Sequence, residues 1–447
     1  MIGRSTATGV VIACMVGTGV FVGLGYQVAS IQSTFAILLL WVVGGAYALC
    51  GAVCYAELAA RMPRSGGEYH FLSKIFHPAL GFLAGWVSVI VGFAAPTAVA
   101  AIVFGKYCSY WNPSLNEAWI AVGIIAVCGC IHFLNAEKGR WFQNCFTAIK
   151  LSLLIGFTGT CFFMVENAQP VDFVPTTGDF DAVFSMDFAT AFVWATFSYS
   201  GWNAAVYISG EMPNATRSVP YALLIGTAIV TGLYLMLNIA FLQSIPFAEI
   251  VELDFVSEVT RRERPEPYEI AALSVDQLYD GSGQYFSKLL ISIGLVSTIG
   301  AFVFIGPRIS QAIGEDFPAL QILSRKNQNG IPTTAIFLQL LLSVSFVLSA
   351  DLKSIVLYVE FSLIIFSFLT VAGLFVLRMR EGSKAEGYRA WGFPWTGLFF
   401  LIMSAWVLIS VSFTYPKQSF VALLTILVGL TLYFITKPNR TKVDDGP

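Results

Sequence analysis

Apolar runs of roughly 20 residues, the length needed to cross a bilayer, follow one another along almost the whole chain. In hydrocarbon each backbone N–H and C=O costs several kcal/mol if left unpaired, and a helix pairs them within the segment. Twelve stretches qualify as spans: 8–30, 34–60, 80–107, 118–136, 145–165, 187–210, 219–243, 285–312, 333–349, 354–378, 394–414 and 417–436. Charged residues make up 12% of the chain, about half the share usual in soluble domains. The expectation is an all-α integral membrane protein with both termini on one side. Only Met1 to Thr6 precede the first span, without a small-residue cleavage site, so no cleavable signal peptide is expected; a longer native N-terminus stays open.

Lys and Arg set the orientation. The side of the termini carries Arg61, Arg64, Lys138, Arg140, Arg217, Arg308, Arg378, Arg380 and Lys437, among others, and the opposite side a smaller set that includes Lys106, Arg261 and Lys353. Both termini are therefore expected in the cytoplasm, in a multi-pass protein of the cell membrane. A formal net charge of −2 argues against a nucleic-acid partner. The eight cysteines form no CxxC pair and no cluster with histidine, so free buried thiols are expected rather than a metal or redox centre.

Against this helical background, Gly17-Thr18-Gly19 stands out in the middle of the first span. Each glycine lowers helix propensity by about 1 kcal/mol relative to alanine. A helix broken here exposes N–H groups and a positive dipole end at Gly19, suited to a carboxylate. Freed carbonyls near Val16 suit an ammonium or a cation. Taken alone, the glycines fit a helix–helix packing face equally well. A second weak point lies in span 6, where Ser198, Ser200 and Gly201 sit among Phe197, Tyr199, Trp202 and Asn203. Spans 1 and 6 each open a group of five, and paired interruptions at corresponding positions point to a transport site.

Other polar residues are set against the hydrocarbon. Lys150 in span 5 either faces a cavity or partner or snorkels to the cytoplasm. Glu360 in span 10 either titrates during transport or is hydrated near the outer interface. Residues 63–77 read most simply as a solvated loop, with a short helix on the cytoplasmic face, Glu68 to Phe76, as the alternative. Ser244 to Ser287 is a long charged external excursion, expected to be solvated and partly helical.

Several stretches resemble the amino acid–polyamine–organocation superfamily of transporters. They are Tyr55-x-Glu57-Leu58 with Pro63-x-Ser65-Gly66-Gly67-x-Tyr69, the Phe146-Thr147-x-Ile149-Lys150 setting, the turn Glu211 to Pro220, Gly306-Pro307-Arg308, and Arg378 to Pro394. Phe197-x-Tyr199-x-Gly201-Trp202-Asn203 is similar to span 6 of the L-type amino acid transporters within it. The turn departs from the family pattern in having Ala215 where a proline is usual, and the acidic turn Gly314 to Pro318 is shorter than the usual form.

The resemblance implies a LeuT-type fold: two inverted five-helix repeats, 1–165 and 166–378, the second including the 244–287 loop, then a connection, two terminal helices and a tail, 379–447. It implies substrate contacts from Val16, Gly17, Thr18, Gly19, Phe197, Ser198, Ser200, Gly201 and Asn203. Phe197 would be the lid, backbone groups of Phe197 and Ser200 would meet the substrate amine, and Asn203 would brace the unwound segment. Lys150 would take the place of a bound sodium ion, with Ser297 or Thr298 facing it across the first helix. Animal L-type members bind a single-span glycoprotein through an external cysteine after span 3; Cys108 is near but expected within the membrane, so no obligatory protein partner is expected.

The expected function is alternating-access transport of amino acids without sodium, a metal or a cofactor, by exchange or with protons. Neither break carries an acidic side chain, which favours a neutral amino acid; cationic amino acids or polyamines are the alternative. An enzyme would need a catalytic cluster, and a channel repeated polar rings; the chain offers neither. Gly19→Val is expected to abolish binding while leaving folding largely intact.

Overall fold

The computed structural model describes residues 2–134, 136–165, 168–244, 283–349, 351–381 and 387–436, and no strand occurs among them. Among the described residues, nine stretches are long and apolar enough to cross a membrane, and two shorter apolar helices, Glu117–Phe133 and Thr333–Ser349, add to them. The first span is split into α1 (Arg4–Met15) and α2 (Gly19–Ser30), followed by α3 (Thr34–Arg61). Ser33 starts α3 as its N-cap, accepting from the Ala36 N–H at 2.9 Å. This satisfies one of the orphan donors of a helix start.

Next come α4 (Glu68–Ile75) and α5 (Pro78–Val87), then a π-helical stretch, Ser88–Ala94, that passes into α6 (Ala95–Trp111). Segment 63–77 differs from the solvated loop expected for it. α4 buries Glu68, Tyr69, His70, Phe71, Leu72 and Ile75, because the carboxylate of Glu68 finds donors inside and the aromatic rings find a core. α7 (Glu117–Leu134) and α8 (Ala136–Met164) follow.

Then come the short α9 (Thr177–Val183) and α10 (Met186–Tyr199), which stops and resumes as a 3-10 helix, Ala204–Glu211. Beyond it run α11 (Ala215–Ser244), α12 (Gly283–Ile305), α13 (Pro307–Asp316), α14 (Thr333–Ser349) and α15 (Leu352–Glu381). The stretch expected as an acidic turn at Gly314–Pro318 is instead the last turn of α13, where Asp316 receives Arg64 at 2.8 Å and the Tyr69 hydroxyl at 2.6 Å. α16 (Trp395–Thr414) and α17 (Pro416–Thr436) close the described chain. Most of the 244–287 excursion falls outside the described residues.

Helices far apart in the chain pack together: α11 lies along α1 and α3, α10 along α2 and α3, and α12 along α6 and α8. The two broken elements therefore sit at the centre, walled by α3, α6, α11, α12 and α15. At the C-terminal end of α3, buried Glu57 joins Arg61 and Arg378 and accepts the Ala390 N–H at 2.7 Å, tying α3 to α15 and to the connection after it.

Candidate functional site

α1 ends because Gly17 and its neighbours leave the helical ladder: the Val16 N–H still bonds Ile12 O at 2.8 Å, whereas the Gly17 N–H turns back to Met15 O at 2.8 Å. Thr18 then caps α2, its carbonyl taking the Phe21 and Val22 amides at 3.1 and 3.0 Å. The amides of Thr18, Gly19 and Val20 have no hydrogen-bond partner among the described residues. Bare N–H groups at the start of a helix are an anion site by geometry and by dipole.

On the other side of the break, the Lys150 ammonium donates to Ala13 O at 3.2 Å, to Val16 O and to Thr298 Oγ1 at 2.7 Å, and Thr298 Oγ1 itself donates to Val16 O at 2.9 Å. Lys150 is buried, so it faces the break and does not snorkel. A lysine without partners in this position would be costly; three oxygen atoms supply them. Thr298 is the residue facing Lys150. Ser297 points elsewhere, its hydroxyl 3.4 Å from Thr147 Oγ1 and its carbonyl 3.4 Å from Gln143 Nε2.

α10 stops for a different reason. Gly201 adopts φ +95°, and a Cβ there would lie 2.9 Å from the Cys14 carbonyl carbon. Only glycine combines that backbone with that approach. The Ser200 N–H bonds Phe197 O at 3.0 Å and the Ala204 N–H bonds Gly201 O at 3.0 Å, while Ser200 O has no partner among the described residues. Tyr234 on α11 joins the two breaks. Its hydroxyl lies 2.6 Å from Met15 O and 3.0 Å from Ser198 O, and its ring contacts Tyr199 and Trp41.

Both broken ends border one cavity. Gly17, Thr18, Gly19, Phe197, Ser200, Gly201, Asn203 and Thr298 line it, as do Cys14 and Met15. Phe197 is half-buried over this space. Two expected contacts fall outside the wall. The Val16 carbonyl is occupied by Lys150 and Thr298 and faces the smaller space beside Lys150 and Phe21. Ser198 is buried, bonds Trp194 O at 2.7 Å and stands against Gly19. A Cβ on Gly19 would come within 2.5 Å of the Ser198 Cα. Gly19 thus serves both packing and an open N-terminus, and Gly19→Val is a folding defect as well as a site defect.

Asn203 brings a further residue to the wall. Its Nδ2 donates to Glu68 Oε1 at 3.3 Å, beside Tyr55 at 2.5 Å and Ser367 at 3.0 Å. Glu68, which the chain places between its second and third spans, reaches the cavity wall. Burial pushes its carboxyl up to about 7, while the hydrogen bonds from Tyr55, Ser367 and Asn203 pull the other way. Sequence reasoning missed this role; Glu360, expected either to titrate during transport or to be hydrated near the outer interface, is buried and lines the same cavity. The available signal was Glu68 as an acid beside an apolar helix face. The π-helical turn of span 3 also brings Gly92 and Phe93 to the wall; such turns often mark functional positions. At the start of α13, Arg308 holds Glu211 at 2.8 Å. Cys108 lies inside α6, half-buried and free.

A bundle of apolar helices with two interrupted members around a central cavity is the arrangement of a membrane permease. The chain belongs to the amino acid permease family, whose model matches residues 2–435. Among curated relatives it is 25% identical to the mouse (Mus musculus) b(0,+)-type amino acid transporter 1, over 95% of this chain and 85% of that protein. It is equally 25% identical to the mouse large neutral amino acids transporter small subunit 2, over 97% and 80%. The serine/threonine exchanger SteT of Bacillus subtilis (strain 168) matches at 25% over 98% of this chain and 97% of its own. These relatives are transporters, not enzymes.

Proposed function

We propose that the protein is a secondary active transporter of amino acids that works by alternating access and without sodium. The observation that carries this reading is the buried start of α2, where the amides of Thr18 and Gly19 border the cavity with no partner among the described residues. The substrate carboxylate docks there. Its ammonium meets the open carbonyl of Ser200, with the carbonyl of Cys14 opposite and Phe197 O beside them. Val16 O is withdrawn from substrate because Lys150 and Thr298 fill it. Phe197 closes over the bound molecule as a gate.

Lys150 holds the carbonyls of α1 together as a fixed positive charge, which supports sodium-independent coupling. The name of the SteT relative supports exchange as the mode. The breaks themselves contribute no acidic side chain, and the rest of the wall includes Phe93, Pro96, Ala100, Leu363 and Ile364, so neutral side chains fit. The long-range architecture we propose is twelve spans as two inverted five-helix repeats, 1–165 and 166–378, plus two terminal helices in 379–447. The protein lies in the cell membrane with both termini cytoplasmic, and it functions without an obligatory partner.

The test is the purified full chain in liposomes. Labelled amino acid should enter saturably when unlabelled amino acid is inside, equally with sodium or choline outside. Uptake driven only by a pH gradient would replace exchange by proton coupling. Absence of both would defeat the proposal.

A further inference from the structure

Three helices run from the central cavity to the face of the protein where α2 ends. Gly19 on α2, Phe197 on α10 and Glu360 on α15 line the cavity. Tyr26 lies seven residues beyond Gly19, and Lys353 seven residues before Glu360, each about 10 Å along a helix axis. Trp194 lies three residues before Phe197. These three side chains meet. The Tyr26 ring stacks on the Trp194 indole with centroids 3.9 Å apart and planes 6° from parallel. The Lys353 ammonium stands 5.8 Å from the centre of the Tyr26 ring. Neither ring is part of the cavity wall, and Trp194 is buried, Tyr26 half-buried and Lys353 exposed. The order outward from the cavity is therefore Phe197, Trp194, Tyr26, Lys353.

Close packing fixes where the rings stand. Gly19, Gly23 and Tyr26 share one face of α2, and a Cβ on Gly23 would lie 3.2 Å from Ser198 Oγ and 3.5 Å from Trp194 O. The two glycines thus bring α2 against α10 and set Tyr26 on Trp194. Lys353 has a second ring beside it, that of Tyr415 where α16 ends, 5.5 Å from the ammonium. A cation within about 6 Å of a ring is drawn to its face, so Lys353 bridges α2 to the junction of α16 and α17. Resting on the reading that this cavity binds amino acids, we propose that Tyr26, Trp194 and Lys353 form a second seal outside Phe197, a cation-capped ring stack that parts before substrate passes on this face. Stacked rings fill the gap between α2 and α10 with apolar area, and the lysine keeps its charged head in water at the outer edge. Lys353 is a positioning residue, since it touches Tyr26 and Tyr415 and not the cavity. The two terminal helices, which carry no break, are what this seal rests against.

The test uses the full chain with Leu363→Cys as a reporter on the cavity wall. A membrane-impermeant, positively charged methanethiosulfonate is applied to intact cells and, separately, to inverted membrane vesicles, and peptide mass spectrometry reads the labelling rate at position 363. From the face where α2 ends, Tyr26→Leu should raise the rate at least about tenfold through loss of the stack. Lys353→Gln, a change at an exposed site, should raise it about threefold through loss of the cation–ring attraction. Tyr26→Phe and Lys353→Arg, which keep the ring and the charge, should stay within about twofold of the parent. From the opposite face none of the four should change the rate. An unchanged rate in Tyr26→Leu or in Lys353→Gln overturns the inference, and so does a rise seen equally from both faces, which would be a general loosening. Leucine and serine at saturating concentration should slow labelling in the parent. Absence of that protection, together with absence of exchange in liposomes, removes the transporter reading, while the sidedness of labelling still decides the stack.

Discussion

The two helix breaks meet at one cavity yet are held open by different physics. In the first span the chain departs from the helix without any left-handed residue, and the freed carbonyls of Ala13 and Val16 are drawn together by the Lys150 ammonium and the Thr298 hydroxyl. In the sixth, Gly201 at φ +95° forces the turn and lies against Cys14 so closely that no side chain fits. The first break is maintained by charge and the second by shape. An electrostatic hold can be loosened in steps when its partners move, whereas a steric one is present or absent. Tyr234 spans the two, with one hydroxyl on a carbonyl of each.

Substitutions that strike each device separately should therefore give unequal losses. The largest is expected for Gly201→Ala. A non-glycine residue forced into such a backbone conformation costs of order 1–3 kcal/mol, and the Cys14 backbone clash adds to it. Exchange in liposomes should fall by at least about 100-fold, with a lower melting temperature; near-normal exchange would mean the turn is not needed. Next comes Lys150→Ala. Removing a charged hydrogen-bond partner from buried carbonyls costs about 1.5–3 kcal/mol, so initial exchange rates should fall roughly 10- to 100-fold without any gain from Gly201 being intact. Unchanged kinetics would remove the charge-held description of the first break.

Tyr234→Phe keeps the ring contacts and deletes only the bridging hydroxyl. It should cost about 1–2 kcal/mol and slow exchange roughly fivefold to thirtyfold, and the effect should be smaller in a Lys150→Ala background if the two devices act on the same carbonyl end. Rates measured in the double-mutant cycle decide this. The smallest effect is expected for Ser297→Ala. Its hydroxyl makes a single long contact with Thr147, so exchange should stay within about twofold. A loss as large as that of Lys150→Ala would assign Ser297 a place at the break that its contacts do not support.

Much of the site was legible as composition at the right depth. Gly17-Thr18-Gly19 and Ser198-x-Ser200-Gly201 are helix-poor stretches inside segments too apolar to be loops, and the matching positions of the two gave each a meaning it lacked alone. Lys150 was legible because an isolated cation in a span must find oxygen. Glu68 was not. It lies in a segment whose punctuation reads as a loop, and its burial depends on Tyr55, Asn203 and Ser367, which come from three other parts of the chain. Tyr234 was equally silent, since a tyrosine in a membrane helix is ordinary until its hydroxyl is seen between two broken ends. Ser198 and Val16 erred in the other direction: adjacency in sequence to a break does not decide which face a residue turns to the cavity.

The sequence by itself determined that the chain crosses a membrane as helices and where two of those helices fail, because propensity and apolar length are local properties. Which freed groups remain available to a ligand was decided only by the tertiary structure. Val16 O is consumed by Lys150 and Thr298 while the Thr18 and Gly19 amides stay bare, and two glutamates far apart in the chain come to one wall. Hydrogen-bond capacity is shared among whichever neighbours the fold brings within about 3 Å, and that neighbourhood is not written in any single segment.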